Sequence, residues 1–232
     1  VSTRLIGALI MTHSDDNGVV LPPRVASAHV VLLPIIRKDQ DRAAIMDYTQ
    51  NIADRLRTKS YWGRNIQVEI DTRDIGGARN WEWIKKGIPL RVEIGPKDMA
   101  SGSVFVGRRD KEPKDKAAFQ KDAFVDGITG LLDDIQNTLY QKALNYRIAH
   151  TRPIDDKAAF DAFFTPKNAE RPEIHGGFAL SHWCGDAACE KTIKERLNVT
   201  IRCIPFDGQP ETGRCVECGK ESARRVIFAK AY

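Results

Sequence analysis

The sequence predicts a mixed α/β domain followed by a smaller α+β domain clasped by a metal ion, and three observations lead there. From residue 24 to about 115, strand-type apolar runs alternate with segments whose apolar residues recur at helical spacing. Lys116 to His150 then carries Phe124, Ile128, Leu131, Leu132, Ile135, Leu139 and Ala143 at three- and four-residue steps, the mark of one long amphipathic helix. Finally, Cys184 and Cys189 form a C-x4-C pair and Cys215 and Cys218 a C-x2-C pair, close enough for four sulfurs to face one tetrahedral ion.

In chain order, Leu5 to Met11 and Val19 to Leu21 are apolar runs around the polar turn Thr12 to Gly18, which reads as a hairpin closed by Pro22 and Pro23. Val1 to Met11 has the look of a sheet interior, so the chain is expected to be the C-terminal part of something longer. Ala28 to Ile36 is a near-continuous apolar run of buried-strand type. Ala43, Ile45, Met46, Ile52, Ala53 and Leu56 share one helix face between Arg42 and Leu56. Ile66 to Ile70 alternates as a strand, Trp81 to Lys86 fits a short helix stopped by Gly87 and Pro89, and Leu90 to Ile94 and Ser103 to Val106 are further strands. In the remainder, Asp155 to Phe164 and Ala188 to Leu197 read as helices, and Gly177 to His182, Thr200 to Ile204 and Arg225 to Ala229 as strands.

Turn residues surround both cysteine pairs: Gly185 and Asp186 within the first, Gly213 and Gly219 beside the second. Disulfides and a redox C-x-x-C compete with a structural zinc. Against the first stand the odd count of five cysteines and a chain of 232 residues, long enough to bury a core without staples. Against the second, no strong amphipathic helix follows Cys215 and Cys218 to lower a thiol pKa. Cys203, within the apolar run Ile201 to Ile204, reads as a buried core thiol.

The net charge of +5 is unevenly placed. Sixteen Lys and Arg face ten Asp and Glu between residues 24 and 109, while 110 to 232 balances. Clustered positive charge is the footprint of a phosphate-rich partner, with a solvated basic face as the blander alternative. Aromatic and basic residues interleave in Arg73, Arg79, Trp81, Trp83, Lys85 and Lys86, the residue types that stack on and hydrogen-bond unpaired bases, although tryptophans at this spacing also serve as core. Arg108 and Arg109 after a strand end form a second basic edge. No nucleophile elbow, phosphate loop or dinucleotide fingerprint occurs, which removes support for hydrolase, simple kinase and dehydrogenase chemistry. No apolar run is long enough to cross a membrane, and a cytoplasmic location is expected.

The stretches Thr3 to Ile10 and His13 to Arg24, then Gly87-Ile88-Pro89-Leu90-Arg91-Val92-Glu93-Ile94-Gly95-Pro96-Lys97-Asp98, the two cysteine pairs and the closing Val226 to Tyr232 together resemble prolyl-tRNA synthetase of the archaeal and eukaryotic type. The resemblance runs through the whole chain in order. It implies the tail of a class II catalytic domain in residues 1–23, an α/β anticodon-binding domain in 24–150 and a zinc-binding domain in 151–232. It implies a role for Arg4 on the adenine of ATP and for the terminal Tyr232 near the active site. It also implies anticodon contacts from Arg73, Arg79, Glu82, Lys86, Lys97 and Arg109, and a structural zinc on Cys184, Cys189, Cys215 and Cys218. The expected partners are the tRNA for proline and, in the full-length homodimer, proline and ATP with Mg2+. Members of the family usually show Phe near Asn80 and a Trp-Glu pair where this chain has Trp83-Ile84, so the reading of guanine is expected to differ in detail. The competing function is a stand-alone zinc-containing RNA-binding or regulatory module derived from a synthetase.

Overall fold

A computed structural model describes residues 2–37, 41–168, 170 and 175–230. The chain divides into two compact units, Val1–Ala143 and Leu144–Tyr232. The first contains both the expected catalytic tail and most of the expected α/β domain.

In the first unit, α1 (Arg4–His13) precedes β1 (Val30–Pro34), α2 (Arg42–Arg57), the small hairpin β2 (Ser60–Tyr61) and β3 (Arg64–Asn65), β4 (Val68–Ile70) and α3 (Gly77–Lys85). Next come β5 (Leu90–Ile94), α4 (Pro96–Ala100), β6 (Ser103–Arg108), β7 (Lys116–Gln120), α5 (Lys121–Asp126) and α6 (Ile128–Ala149), the last running on into the second unit. The central sheet has the order β4-β1-β5-β6-β7. β1 is parallel to β4 and β5, whereas β6 and β7 add antiparallel, which gives the expected mixed sheet.

β1 is buried on both faces, which is why it reads as unbroken apolar sequence. Val30 and Leu32 join the larger core with Leu90, Val92, Ile94, Val104 and Val106 of the sheet and with Ile45, Ile52, Leu56, Ile128, Leu132, Ile135 and Leu139 of the helices. Val31 and Leu33 face the other way into a smaller cluster with Ala28 and Ile88, covered by Trp83 of α3. Spacing accounts for the helices in the same way: α6 buries Ile128, Leu132, Ile135 and Leu139, one face of a 3.6-residue repeat.

Two expected elements differ. Leu5 to Met11 is not a strand of a hairpin but the body of α1, a helix that buries no residue and leaves Leu5, Ile6, Ile10 and Met11 exposed. A short apolar run fits either conformation, and with no strand among the described residues paired to it the helix satisfies the backbone locally. The turn itself is present, with Asp15 and Gly18 bridged and the Asn17 N–H donating to Asp15 Oδ1 at 2.9 Å. The single helix expected over Lys116 to His150 is three elements. Lys116–Gln120 pairs with β6 as an edge strand, and the helical stretch is divided at Gly127.

The second unit contains β8 (Thr151–Pro153), α7 (Lys157–Phe164), β9 (Phe178–His182), α8 (Ala187–Leu197), β10 (Val199–Cys203), β11 (Gly213–Arg214), β12 (Glu221–Ser222) and β13 (Arg225–Lys230). Its four-stranded sheet, β10-β13-β9-β8, packs Ala179, Val199, Val226 and Phe228 against Phe160 and Phe164 of α7 and Ile193 of α8. α7 and α8 start at Asp156 and Asp186, whose carboxylates accept from Ala159 N at 2.8 Å and Ala188 N at 2.9 Å, respectively. Cys203 is exposed and not a core thiol. The β10–β13 register shifts between Ile201 and Cys203, and such a bulge turns an apolar run off the core face.

Candidate nucleic-acid interface and metal centre

The three parallel strands β4, β1 and β5 end at one edge of the sheet, the edge where ligands bind in open α/β folds. A cleft of about 460 Å³ lies there, lined by Pro34 at the end of β1 and Ile35 after it, Thr72 and Arg73 after β4, Arg79, Asn80 and Trp81 of α3, and Glu93 and Lys116 from the sheet. Glu93 and Lys116 are joined at 2.5 Å. Asn80 Oδ1 accepts from Arg91 Nε at 3.0 Å.

Arg91 is the unusual member. It alternates with the core residues Leu90 and Val92, is 2% exposed, and its Nη1 and Nη2 have no hydrogen-bond partner among the described residues. Burial, then the nearby Arg109, bring its pKa down to about 10, against the opposing pull of Glu93. A buried guanidinium with two nitrogens lacking a partner among the described residues is a costly arrangement, and its one side-chain bond holds Asn80 of the cleft lining from behind.

The rim is built on Asp71, at the end of β4. Its carboxylate accepts from Arg73 Nε at 3.0 Å, Arg73 Nη2 at 2.8 Å and Trp83 Nε1 at 2.7 Å. These bonds, the Arg73 guanidinium foremost, hold its pKa well below the usual carboxylate range although burial opposes them. Arg73 also reaches Glu82 at 2.7 Å. Arg79 donates to the carbonyls of Pro34, Asp71 and Arg73 at 2.8, 3.0 and 3.1 Å, tying α3 to the strand ends.

Of the residues expected to meet RNA, Arg73 and Arg79 line the cleft, and Glu82 joins them through Arg73. Lys86 lies past the far end of α3, its ammonium 4.2 Å from the Trp83 ring centroid. Lys97 is exposed on α4 and does not line the cleft. Arg109 is buried and grips the turn after α1: its Nη1 and Nη2 donate to Asp15 at 2.7 and 2.6 Å. Arg4 is exposed in the first turn of α1, and Tyr232 lies outside the described residues. Sequence reasoning had singled out Trp81 as a stacking residue type and Asn80 as a departure bearing on guanine, but missed Glu93 and Lys116 as lining groups and Arg91 as the support of Asn80. The available signal was charge in the apolar alternation of β5, at Arg91 and Glu93.

In the second unit, the sulfurs of Cys184, Cys189, Cys215 and Cys218 all lie within 4.8 Å of one another. Cys184 Sγ is 3.7 Å from Cys189 Sγ and 3.7 Å from Cys218 Sγ. Four thiolates about 2.3 Å from a tetrahedral ion stand about 3.8 Å apart, so the cluster can hold a metal. Cys184 follows β9 and Cys189 sits in the first turn of α8. Cys215 and Cys218 occupy the tight turn between β11 and β12, closed by Gly219 N–H to Cys215 O at 2.9 Å and Cys215 N–H to Lys220 O at 2.8 Å. Burial would raise the Cys215 thiol, but backbone N–H groups of Cys218, Glu217 and Cys184 outweigh it and bring its pKa to about 7. Glu217, inside this turn, binds Lys157 of α7 at 2.6 Å and Arg196 of α8 at 2.8 Å, which fixes the turn to the helices.

No helix among the described residues is long and apolar enough to cross a membrane. Residues 29–130 match the family model described as an anticodon binding domain, and residues 171–232 match that of the prolyl-tRNA synthetase C-terminal domain. The chain is 46% identical over 234 residues to a proline–tRNA ligase of Protochlamydia amoebophila, 47% identical over 238 residues to proline–tRNA ligase 2 of Anaeromyxobacter dehalogenans, and 46% identical over 233 residues to a proline–tRNA ligase of Bdellovibrio bacteriovorus. Each alignment takes in 100% of this chain and 46% of the relative, so the chain spans less than half the length of the relatives it matches. With both family models in series and similarity through its whole length, the chain belongs to the prolyl-tRNA synthetase family, matching the portion that carries the anticodon-binding and C-terminal domains.

Proposed function

We propose that this chain is the tRNA-recognising part of an ATP-dependent proline–tRNA ligase, in which the cleft at the ends of β4, β1 and β5 takes the guanines of the proline anticodon. The observation that carries this is the chemistry of the lining. Glu93 is a carboxylate able to accept from N1–H and N2–H of guanine, and Lys116 is a donor suited to O6 and N7, while the buried Arg91 holds Asn80 of the lining. Trp81, half exposed at the mouth, offers a ring for stacking. Arg73, Arg79 and Glu82 shape the rim, and Lys86 and Lys97 supply exposed charge for the phosphate backbone.

The whole enzyme couples proline to ATP with Mg2+, forming prolyl adenylate and pyrophosphate, and then transfers the prolyl group to tRNA with release of AMP. Arg4 is its adenine contact and Tyr232 the end of a tail near the active site, in a cytoplasmic homodimer. The four cysteines hold zinc, because four thiolates suit that ion and leave no open position for catalysis. The ion supports the fold of residues 151–232. Binding of a proline anticodon stem-loop, followed by fluorescence anisotropy, tests the reading. The two-guanine loop is expected to bind at least about tenfold more tightly than one with both guanines replaced, with affinity falling steeply in salt. Equal affinity for the two RNAs would reject it and leave a non-specific RNA-binding module.

A further inference from the structure

The two ends of α3 have different neighbours. Gly77, Arg79, Asn80 and Trp81 face the cleft, whereas the last turn is held from behind by Arg109. That side chain is 2% exposed. Its Nε donates to Ile84 O at 2.9 Å and Val19 O at 3.0 Å, and its Nη2 reaches Gly18 O at 3.0 Å as well as Asp15. Backbone bonds continue the contact, from Val19 N–H to Lys85 O at 3.1 Å and from Leu21 N–H to Gly87 O at 3.2 Å. Gly18, at φ +127°, lies so near the helix that a Cβ there would stand 2.7 Å from Lys85 Cα. A cation at a helix C-terminus also meets the negative end of its dipole.

We propose that Arg109 and the Asp15–Gly18 turn form a positioning clamp on α3, through which the segment leading out of α1 sets the cleft for a guanine base. The inference rests on the cleft being the RNA site. A nine-residue helix is too short to be stable alone, so its place is set by what holds its ends. Released at the Ile84 end, it pivots and displaces Arg79, Asn80 and Trp81 at the other.

The test uses the 232-residue chain with Asp15→Asn and Gly18→Ala, neither of which alters a cleft residue. Hydrogen exchange at residues 79–87 is expected to accelerate while β1 and β5 keep their protection. Affinity for the two-guanine loop is expected to fall roughly five- to tenfold, with that for the guanine-replaced loop unchanged. The narrowed ratio between the two RNAs is what a general loss of stability would not produce. Unchanged exchange in α3 in both variants overturns the clamp. Faster exchange with an unchanged ratio overturns its coupling to the cleft. A parent chain that does not discriminate between the RNAs overturns the RNA reading of the cleft, and with it the coupling, while the exchange data still decide whether the clamp exists.

Discussion

The indole N–H of Trp83 donates to Asp71 Oδ2 at 2.7 Å, so the tryptophan that covers one face of the sheet is fixed by the carboxylate that ends β4. Asp71 is 4% exposed at its side chain and accepts from Arg73 at both oxygens. Exchanging either oxygen for an amide nitrogen would set one donor against another. Asp71→Asn is therefore expected to lower stability by about 1–3 kcal/mol at pH 7, measured by urea denaturation. Because the folded carboxyl titrates below its ordinary value of 3.8, its contribution is complete above that pH and lost as pH falls toward the folded pKa. The gap between variant and parent should accordingly close in acid, and a gap constant from pH 7 to 3 would contradict the account.

His29 gives a second pH dependence at milder acidity. Its Nδ1 accepts from Gln67 N–H at 2.9 Å and its Nε2 stands 3.1 Å from Arg64 Nη2, so an added proton meets donors on both sides. Burial, and then the Arg64 charge, lower its pKa to about 4 from 6.5. The unfolded chain takes up a proton between those values and the folded chain does not, so stability rises with pH through this window and is complete above about pH 6.5. His29→Gln is expected to flatten the slope of unfolding free energy between pH 4 and 6.5. An unaltered slope in denaturant titrations would assign it to other groups.

The parts of this fold legible in sequence are those whose period is decided locally. Ile45, Ile52 and Leu56 declare α2, the unbroken run through Val30–Leu33 declares a doubly covered strand, and cysteine spacing brought four sulfurs together across 34 residues of chain. Leu5 to Met11 was ambiguous because its apolar run fits a strand or a helix, and pairing partners decide between them. Lys116–Gln120 carries two alanines in a helix-like context, and only its ladder to β6 makes it a strand. The cleft is harder still. Pro34, Arg73, Asn80, Glu93 and Lys116 meet because parallel strands end together, a relation that no local window contains. Arg109 illustrates the converse: a basic residue at a strand end looked available for phosphate, yet Asp15, far away in sequence, occupies it.

With the four cysteines holding zinc, as proposed, removing Cys218 should loosen one unit and spare the other. Cys218→Ser, or treatment with a strong chelator, is expected to accelerate hydrogen exchange in residues 182–222 while α2 and β1 keep their protection, since ion-binding free energy contributes to the fold there. Metal analysis of the parent should give one zinc per chain. Exchange that stays the same after demonstrated metal loss would show that the hydrogen bonds of the β11–β12 turn suffice.

Gly213 lies against the buried ring of His182. A Cβ at this position would stand 2.2 Å from Nε2 and 2.4 Å from Cδ2, and the ring, itself bonded through Nδ1 to Ser222 Oγ at 3.3 Å, has little room to retreat. Gly213→Ala is expected to destabilise the second unit by about 1–3 kcal/mol, as overpacking does. Thermal unfolding monitored at Trp183 would check it, and an undiminished midpoint would mean that the hairpin shifts freely.

Arg91 sets stability against recognition. Its buried guanidinium has one side-chain partner, Asn80, and two nitrogens without one among the described residues, so the folded protein carries a desolvated charge whose visible task is to hold Asn80 in the cleft lining. Replacing a buried ionic group by an apolar side chain of similar volume is often neutral or stabilising by about 1–4 kcal/mol. Arg91→Met is therefore expected to raise the unfolding free energy by about 1 kcal/mol or more, the half-buried Asn80 recovering a partner from water. The same change should lower the preference for the two-guanine loop, because Asn80 in the cleft lining loses the guanidinium that holds it. The two measurements must move in opposite directions. A variant that is less stable and equally discriminating would place Arg91 among the structural residues, and one that is less stable and non-discriminating would show that discrimination is lost with the fold.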